Sequence, residues 1–175
     1  MHNRRMDAPD PSEYASYYGR YIQLVTAPDI VGALASQIQA TSADLRGISE
    51  ERSGSRYARG KWSIREVVGH MIDAERIFAY RALRFARGDQ NALAGFEQDD
   101  YIRTARFDAC RFSDLMEEFE LVRRANIWMF RHLDAEAWMR RGVASGYEIT
   151  VRALAFVIAG HELHHVQVLR ERYLA

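Results

Sequence analysis

The distribution of proline is the feature of this sequence that most limits its fold. The three prolines occur at positions 9, 11 and 28, and none follows in the rest of the 175 residues. Because proline interrupts helix interiors and central strands, the chain after position 28 is free to form long helices. The alternating pattern of strands is scarce there, whereas apolar residues recur at spacings of three and four. The sequence therefore predicts an all-α protein.

Four long helices are predicted from this periodicity and from signals at the helix ends. The first follows Pro28 and runs to about Leu45, and the others run from Ser63 to Arg87, from Phe112 to Leu133 and from near Thr150 to about Tyr173. Pro28 suits a first helical turn, and Ser63 forms a capping box with Glu66. The third helix carries an apolar seam at alternating spacings of three and four, with Asn126 as its one polar member, as in antiparallel bundles. These features predict a four-helix bundle.

The connections between the predicted helices are less regular. The connection from Gly88 to Cys110, between the second and third helices, is long for a bundle, and we expect a crossover or a lid with about one helical turn. A short helical piece is expected at 134–138 and a turn at 142–146. No linker or repeat divides the chain. We therefore expect a single domain over residues 1–175, with 1–13 as a flexible tail.

The charge of the chain argues against two classes of partner. Its 24 basic residues balance 24 acidic ones, so it lacks the positive surface that nucleic acids and anionic membranes attract. Cys110 is the single cysteine, which excludes an intrachain disulfide. The most apolar stretch, at 151–160, is interrupted by Arg152 and is too short to span a bilayer, and no signal peptide is recognisable. We expect a cytoplasmic protein that binds neither nucleic acid nor membrane.

Three histidines on two of the predicted helices form the candidate functional site. His161 and His165 lie four residues apart, so they share one face of the fourth helix, which also carries apolar residues. His70 lies on the apolar face of the second helix. Three imidazoles leave a coordination position open, as in catalytic metal sites, and we expect them to bind one divalent transition-metal ion. On spacing alone, the alternative of packed histidines with ordinary hydrogen bonds stays open.

Two competing interpretations concern the same segment. His164 lies within one turn of His161 but further from the apolar stripe, so we rank it below the other histidines as a ligand. The segment HELHH at 161–165 also satisfies the zinc-peptidase pattern H-E-x-x-H, in which Glu162 is the general base. We disfavour a peptidase because so little sequence follows the motif that a third ligand and a substrate-binding subdomain find no place.

Further polar residues are candidates for roles beside the metal. The candidates for acid–base or positioning roles are Glu162, Asp73, His164 and Asn126. Asn126 lies on the seam of the third helix, where a core amide that fixes the helix register is an equal alternative. Arg76, Arg81 and Arg84 on the second helix could bind an anionic cosubstrate, although such a run is more often a solvated helix face.

Several stretches of the chain resemble the DinB-like (YfiT-like) superfamily. They are GKWSIRE at 60–66, with His70 four residues later, DAER at 73–76, RALRFARGD at 81–89, GFEQDDY at 95–101 and GHELHH at 160–165. The resemblance extends over about the whole chain and keeps the order of the stretches. It implies a four-helix bundle, usually a homodimer, with nickel or zinc on His70, His161 and His165. Known members include thiol-dependent S-transferases, a mycothiol-dependent isomerase and the metal-binding part of ergothioneine-synthesising enzymes.

These observations lead to one function and two alternatives. The first is a metal-dependent enzyme that acts on a small-molecule substrate, either as a thiol-dependent S-transferase with a low-molecular-weight thiol as cosubstrate or as a hydrolase. The second is a bundle that binds a metal or ligand without turnover, and the third is a metal-free helical interaction module. The presence of metal separates the third from the others.

Overall fold

A computed structural model describes residues 7–174 of the chain. The helices are α1 (Gly19–Ile22), α2 (Ile30–Leu45), α3 (Glu50–Ser53), α4 (Ile64–Ala86), α5 (Gln98–Ala105), α6 (Phe112–Arg131), α7 (Ala135–Met139) and α8 (Val151–Arg172). An antiparallel hairpin of β1 (Arg141–Ala144) and β2 (Tyr147–Thr150) precedes α8, and short 3₁₀ turns occupy Pro11–Glu13, Ser16–Tyr18 and Phe107–Ala109. The four long helices pack together as a bundle, so the predicted fold class is confirmed.

The ends of the long helices are set by capping side chains. The Ser63 hydroxyl accepts a hydrogen bond from the backbone N–H of Glu66, and the Glu66 carboxylate accepts one from the backbone N–H of Ser63, which is the predicted capping box. Thr150 accepts from Ala153 N at 3.0 Å and starts α8. The first long helix follows Pro28 as predicted and begins at Ile30, because Asp29 caps it. Pro28 therefore precedes the cap and does not occupy the first turn.

The buried face of α6 differs from the predicted seam. Its first half is as expected, with Phe112, Leu115 and Phe119 buried. Beyond Phe119 the buried positions are Arg123, Ile127 and Phe130, whereas Val122, Asn126 and Met129 are half-buried. The seam thus moves by one position after Phe119, because a spacing of four keeps residues on the face that looks into the bundle. This shift places an arginine in the core.

A layer of polar side chains crosses the middle of the bundle. Apolar residues at one end of the bundle and apolar residues at the other end form two separate hydrophobic clusters. Between them lie buried polar side chains, which we call the polar layer: His70, Glu75, Arg123, His161 and Glu162. Buried polar groups persist only where partners satisfy them. The polar layer is therefore the candidate functional region of the bundle.

The connections contain more regular structure than the sequence predicted. The segment between α4 and α6 includes the eight residues of α5 and a 3₁₀ turn, where one helical turn was expected. The expected turn at 142–146 is part of the β hairpin, whose corner residues Ser145 and Gly146 both have positive φ, as a tight hairpin turn requires. Leu93 pairs with Ala144 and ties the long connection to this hairpin.

The N-terminal segment packs against the start of α8. Of the expected flexible tail, residues 1–6 lie outside the described residues. Glu13, at its other end, is buried, accepts a hydrogen bond from Thr150 Oγ1 at 2.8 Å and pairs with Arg152. Burial raises the pKa of Glu13, but the hydrogen bonds from Arg152, the backbone of Asp10 and Thr150 outweigh it and hold that pKa below its usual value. Across residues 7–174, no helix has the length and apolar character that crossing a membrane requires.

Candidate metal centre

The side chains of His70 from α4 and of His161 and His165 from α8 meet between the two helices. Nε2 of His161 lies 3.0 Å from Nε2 of His70 and 3.1 Å from Nε2 of His165. One ligand atom from each of the three lies within 4.8 Å of the others. Two nitrogens bound to one zinc ion at tetrahedral positions are about 3.3 Å apart. The structure therefore brings together the three histidines that the sequence singled out.

Burial keeps the three rings neutral. It lowers the pKa of His70 to about 4, with His164 adding to the effect. It also lowers the pKa values of His161 and His165 well below the usual value for histidine, and the neighbouring histidines add to the shift. A neutral imidazole keeps a lone pair on one ring nitrogen, which is the form that binds a metal. The cluster is thus a set of donors and not a positively charged patch.

The donor set indicates which ions the site suits. Three imidazole nitrogens suit nickel, zinc, cobalt and copper, whereas calcium and magnesium prefer oxygen ligands. The three-histidine group contains no carboxylate or thiolate. His164 is outside the group and packs at its margin, with its ring centroid 5.1 Å from that of His165 and 5.5 Å from that of Tyr21. The residues present therefore fit a divalent transition-metal ion.

A glycine beside the cluster lets an N-terminal helix close over it. A Cβ atom added to Gly160 would lie 2.0 Å from the carbonyl oxygen of Tyr21 in α1. Only glycine permits this approach, although glycine inside a helix costs about 1 kcal/mol relative to alanine. The approach sets the Tyr21 ring edge-on against the next residue, His161, at a centroid distance of 5.3 Å. The backbone at Gly160 thus positions one wall of the site.

Aromatic rings surround the cluster and a cleft leads to it. The ring of Trp62 lies 4.9 Å from that of His70, and the ring of Phe78 lies 5.8 Å from that of His161. A cleft of about 320 Å³ reaches His70 and His161 from the surface. Its size is at the lower end of the range for small-molecule sites. The cluster is therefore shielded from bulk water but open to a small molecule.

The remaining members of the polar layer form an ion-pair network. Arg123 is completely buried and donates from Nε and Nη2 to both oxygens of Glu75, at 2.7 and 2.8 Å. It also donates from Nη1 to Glu162 Oε2 at 2.6 Å, and the other Glu162 oxygen accepts from Thr41 Oγ1 at 2.6 Å. Burial alone would lower the pKa of Arg123, but the two carboxylates raise it above its usual value. One cation is thus shared by two carboxylates.

Within the described chain, the candidate residues Glu162, Asp73 and Asn126 form no hydrogen bond with the ring nitrogens of the three histidines. Both oxygens of Glu162 are engaged in the network, which favours a positioning role over proton transfer. Asn126 donates to Glu75 Oε1 at 3.1 Å and so extends the network. Asp73 is half-buried; burial raises its pKa, and the charges acting on it belong to Arg76 and Glu118.

Two members of the polar layer were not predicted from the sequence. Arg123 lies on a helix face defined by Phe119 and Ile127, and following the spacing of four from Phe119 would have found it. Glu75 belongs to a charged run that reads as a solvated face, and nothing local distinguishes it from Arg76, which is exposed. Their burial depends on each other, because each neutralises the other's charge.

Comparison with known proteins identifies one family model and one solved structure that resemble this chain. The family model of the DinB superfamily matches residues 33–169. Among solved structures, the chain is similar to YfiT from Bacillus subtilis, described as a probable metal-dependent hydrolase with an unusual four-helix bundle topology. The two share 14% identity with a TM-score of 0.71 over 93% of this chain and 89% of YfiT, a likeness of fold. No curated protein matches the chain.

Proposed function

Since the chain belongs to the DinB superfamily, whose model spans residues 33–169, we propose that it binds one divalent transition-metal ion and acts as a metal-dependent enzyme on a small molecule. His70, His161 and His165 hold the ion. The observation that carries this proposal is the convergence of three neutral imidazole nitrogens, of which those of His70 and His161 belong to residues that line a cleft. Three protein ligands leave a position for a water molecule or a substrate, as in catalytic sites.

The residues around the cluster have separate roles in this proposal. A divalent ion held there lowers the pKa of a bound water molecule or thiol and so supplies a nucleophile near neutral pH. Trp62 and Phe78 limit the entry of water and lower the local dielectric, which strengthens electrostatic interactions with the substrate. Glu162 fixes the turn of α8 that carries His161, because Arg123 holds its carboxylate.

The reaction is either hydrolysis or thiol-dependent S-transfer, with nickel or zinc as the metal. The fold of YfiT favours the first, and a low-molecular-weight thiol is the cosubstrate in the second. A peptidase of the H-E-x-x-H type is disfavoured, because its general base would be Glu162, whose two oxygens are bonded to Thr41 and Arg123. The alternatives are metal or ligand binding without turnover and a metal-free interaction module.

Cytoplasmic location and a homodimer complete the proposal. A groove of about 480 Å³ between α2 and α6 supports the dimer, because the exposed ring of Trp128 lies at its rim. Large exposed aromatic side chains are enriched where proteins associate. Light scattering on the purified chain gives twice the monomer mass if the homodimer forms and the monomer mass if it does not.

The enzymatic part of the proposal is tested with two assays on the nickel- or zinc-loaded protein. One follows hydrolysis of 4-nitrophenyl acetate, and the other follows transfer of cysteine to monochlorobimane. The control is His132→Ala, which makes the same substitution at an exposed histidine. Activity in either assay that is lost in His161→Ala and kept in His132→Ala supports an enzyme. Equal rates in the parent and His161→Ala argue against it.

A further inference from the structure

An arginine lies buried in the wall of the cleft that leads to the histidines. Arg81 is 2% exposed and lines the same cleft as His70 and His161. It belongs to the run of arginines for which binding of an anionic cosubstrate and a solvated helix face were the two alternatives. Its neighbours in the run behave differently, since Arg76 pairs with Glu118 and Arg84 pairs with Asp89 at the surface.

The partners of Arg81 are neutral. Its Nη2 donates to the carbonyl oxygen of Ala94 at 2.9 Å and to Ser145 Oγ at 3.0 Å. None of the ion pairs formed within residues 7–174 includes Arg81. Both of these hydrogen bonds come from Nη2, and the side chain of Tyr18, which also lines the cleft, is a further neutral neighbour of the guanidinium. Buried Arg123, in contrast, has two carboxylates.

A buried guanidinium without a carboxylate partner carries a positive charge that nothing nearby neutralises. Arginine stays charged at any physiological pH, so it cannot escape the desolvation cost by losing its proton. Its planar fork of N–H donors matches the oxygens of carboxylate and phosphate groups. Neutral acceptors from a carbonyl and a hydroxyl compensate only part of the cost of burying the charge. An anionic group entering the cleft would supply the missing charge.

The rest of the cleft is consistent with an anionic ligand. Arg20 is exposed beyond the cleft lining, but its charge acts on His161, it donates to the hydroxyl groups of the lining residues Tyr17 and Tyr21, and it takes part in no ion pair of the described chain. Glu97 is the acidic residue that lines the cleft, and it is exposed to solvent. The other lining side chains are mostly aromatic, which suits an apolar or aromatic ligand body.

One small molecule can reach both ends of the cleft. The ring of Phe78 is close to both residues: its centroid is 6.0 Å from Arg81 Cζ and 5.8 Å from the ring centroid of His161. We propose that the substrate of this site carries an anionic oxygen group, a carboxylate or a phosphate, that binds Arg81 while its reactive group lies beside His70 and His161. The part of this inference that places the reactive group beside His70 and His161 rests on the proposed function. Binding of the anion does not, since Arg81 binds it with or without metal.

The test measures binding of small probes to the full-length protein, both metal-loaded and treated with a chelator. The probes are benzoate, phenyl phosphate and the neutral analogue benzamide, followed by ligand-observed NMR. We expect benzoate or phenyl phosphate to bind the chelator-treated parent at least about tenfold more tightly than benzamide. Whichever anion binds more tightly identifies the group as carboxylate or phosphate.

Matched variants assign that binding to Arg81. Arg81→Gln is expected to lose the preference for the anion, whereas Arg76→Gln, which removes an exposed arginine from the same helix, keeps it. If Arg81→Gln does not fold, the parent alone decides, because the Arg81 Nε–H resonance must shift with the anion and not with benzamide. Equal binding of benzoate, phenyl phosphate and benzamide by the parent, or unchanged anion binding in a folded Arg81→Gln, overturns the inference.

The two proposals fail independently in this experiment. If the parent takes up no metal but binds the anion through Arg81, the metal-dependent function is refuted and the anion site is supported. If the parent takes up metal but shows no preference for anions in either form, the anion site is refuted and the metal-dependent function is unaffected. The chelator-treated sample is needed because a carboxylate can also bind the metal directly.

Discussion

Replacing Arg123 by methionine should be among the most destabilising single changes in the core. Arg123 holds Glu75 through two hydrogen bonds and Glu162 through a third, and all three side chains are at most 3% exposed. Without the guanidinium, two carboxylates stay buried with no cation. Removing one partner of a buried ion pair costs about 3–5 kcal/mol. For a chain of this size that is a fall in melting temperature of about 6–20 °C.

The assay is urea unfolding followed by circular dichroism, with the free energy of unfolding compared between Arg123→Met and Arg124→Met. Arg124 is the adjacent residue, 67% exposed and paired with Glu120 on the same helix. Its replacement should change the free energy of unfolding by no more than about 0.5 kcal/mol. Both variants replace an arginine of the same helix by methionine. Their difference therefore separates the effect of the buried network from that of losing a positive charge.

A triple variant tests the reasoning behind the magnitude. Adding Glu75→Gln and Glu162→Gln to Arg123→Met removes both buried negative charges, so most of the lost free energy of unfolding should return. A loss in Arg123→Met below about 1 kcal/mol, similar to that of Arg124→Met, would refute the account of the polar layer. So would a triple variant that is less stable than Arg123→Met.

Three further changes test other parts of the structure. Gly160→Ala should destabilise the chain by about 1–3 kcal/mol in the same urea assay, because its methyl group meets the backbone of α1, while Gly47→Ala, in open space, should be neutral; equal effects would contradict the close approach. Glu162→Gln should keep the metal content of the parent, since Glu162 contacts no ring nitrogen of the cluster, and loss of metal would contradict this placement. Glu13→Gln should lower the free energy of unfolding at neutral pH, because the folded-state pKa of Glu13 is depressed despite burial; its contribution is present above the ordinary glutamate pKa and disappears as the pH falls through the folded value. A difference between parent and Glu13→Gln that persists in acid would contradict that assignment.

Local signals in the sequence were sufficient for the long helices and for the histidines. Caps at Ser63 and Thr150 act between residues three apart, and His161 and His165 are related by one helical turn, so each pattern lies within a few consecutive positions. His70 could be added because it shares an apolar helix face. The fold class follows from the same short-range information, since each long helix shows its apolar face separately.

Contacts between distant segments were not predictable in the same way. Arg123 was not predicted to be buried, because its burial requires the carboxylates of Glu75 and Glu162. These lie on two other helices, far away in the sequence. Docking of α1 depends on the backbone at Gly160, and a single glycine in a helix gives no sign of what approaches it. Arg81 reads as solvated until the hairpin and the long connection are seen to cover it.

The most direct test of the central claim is the metal content of the purified, tag-free chain. The protein is loaded with nickel or zinc, dialysed and analysed for bound metal beside His161→Ala and the exposed control His132→Ala. We predict about one ion per chain in the parent and in His132→Ala, and loss of the ion in His161→Ala, because removing the ligand between the other two opens the site. A parent that retains neither metal, or a His161→Ala variant that retains as much as the parent, would contradict a metal centre on these three histidines.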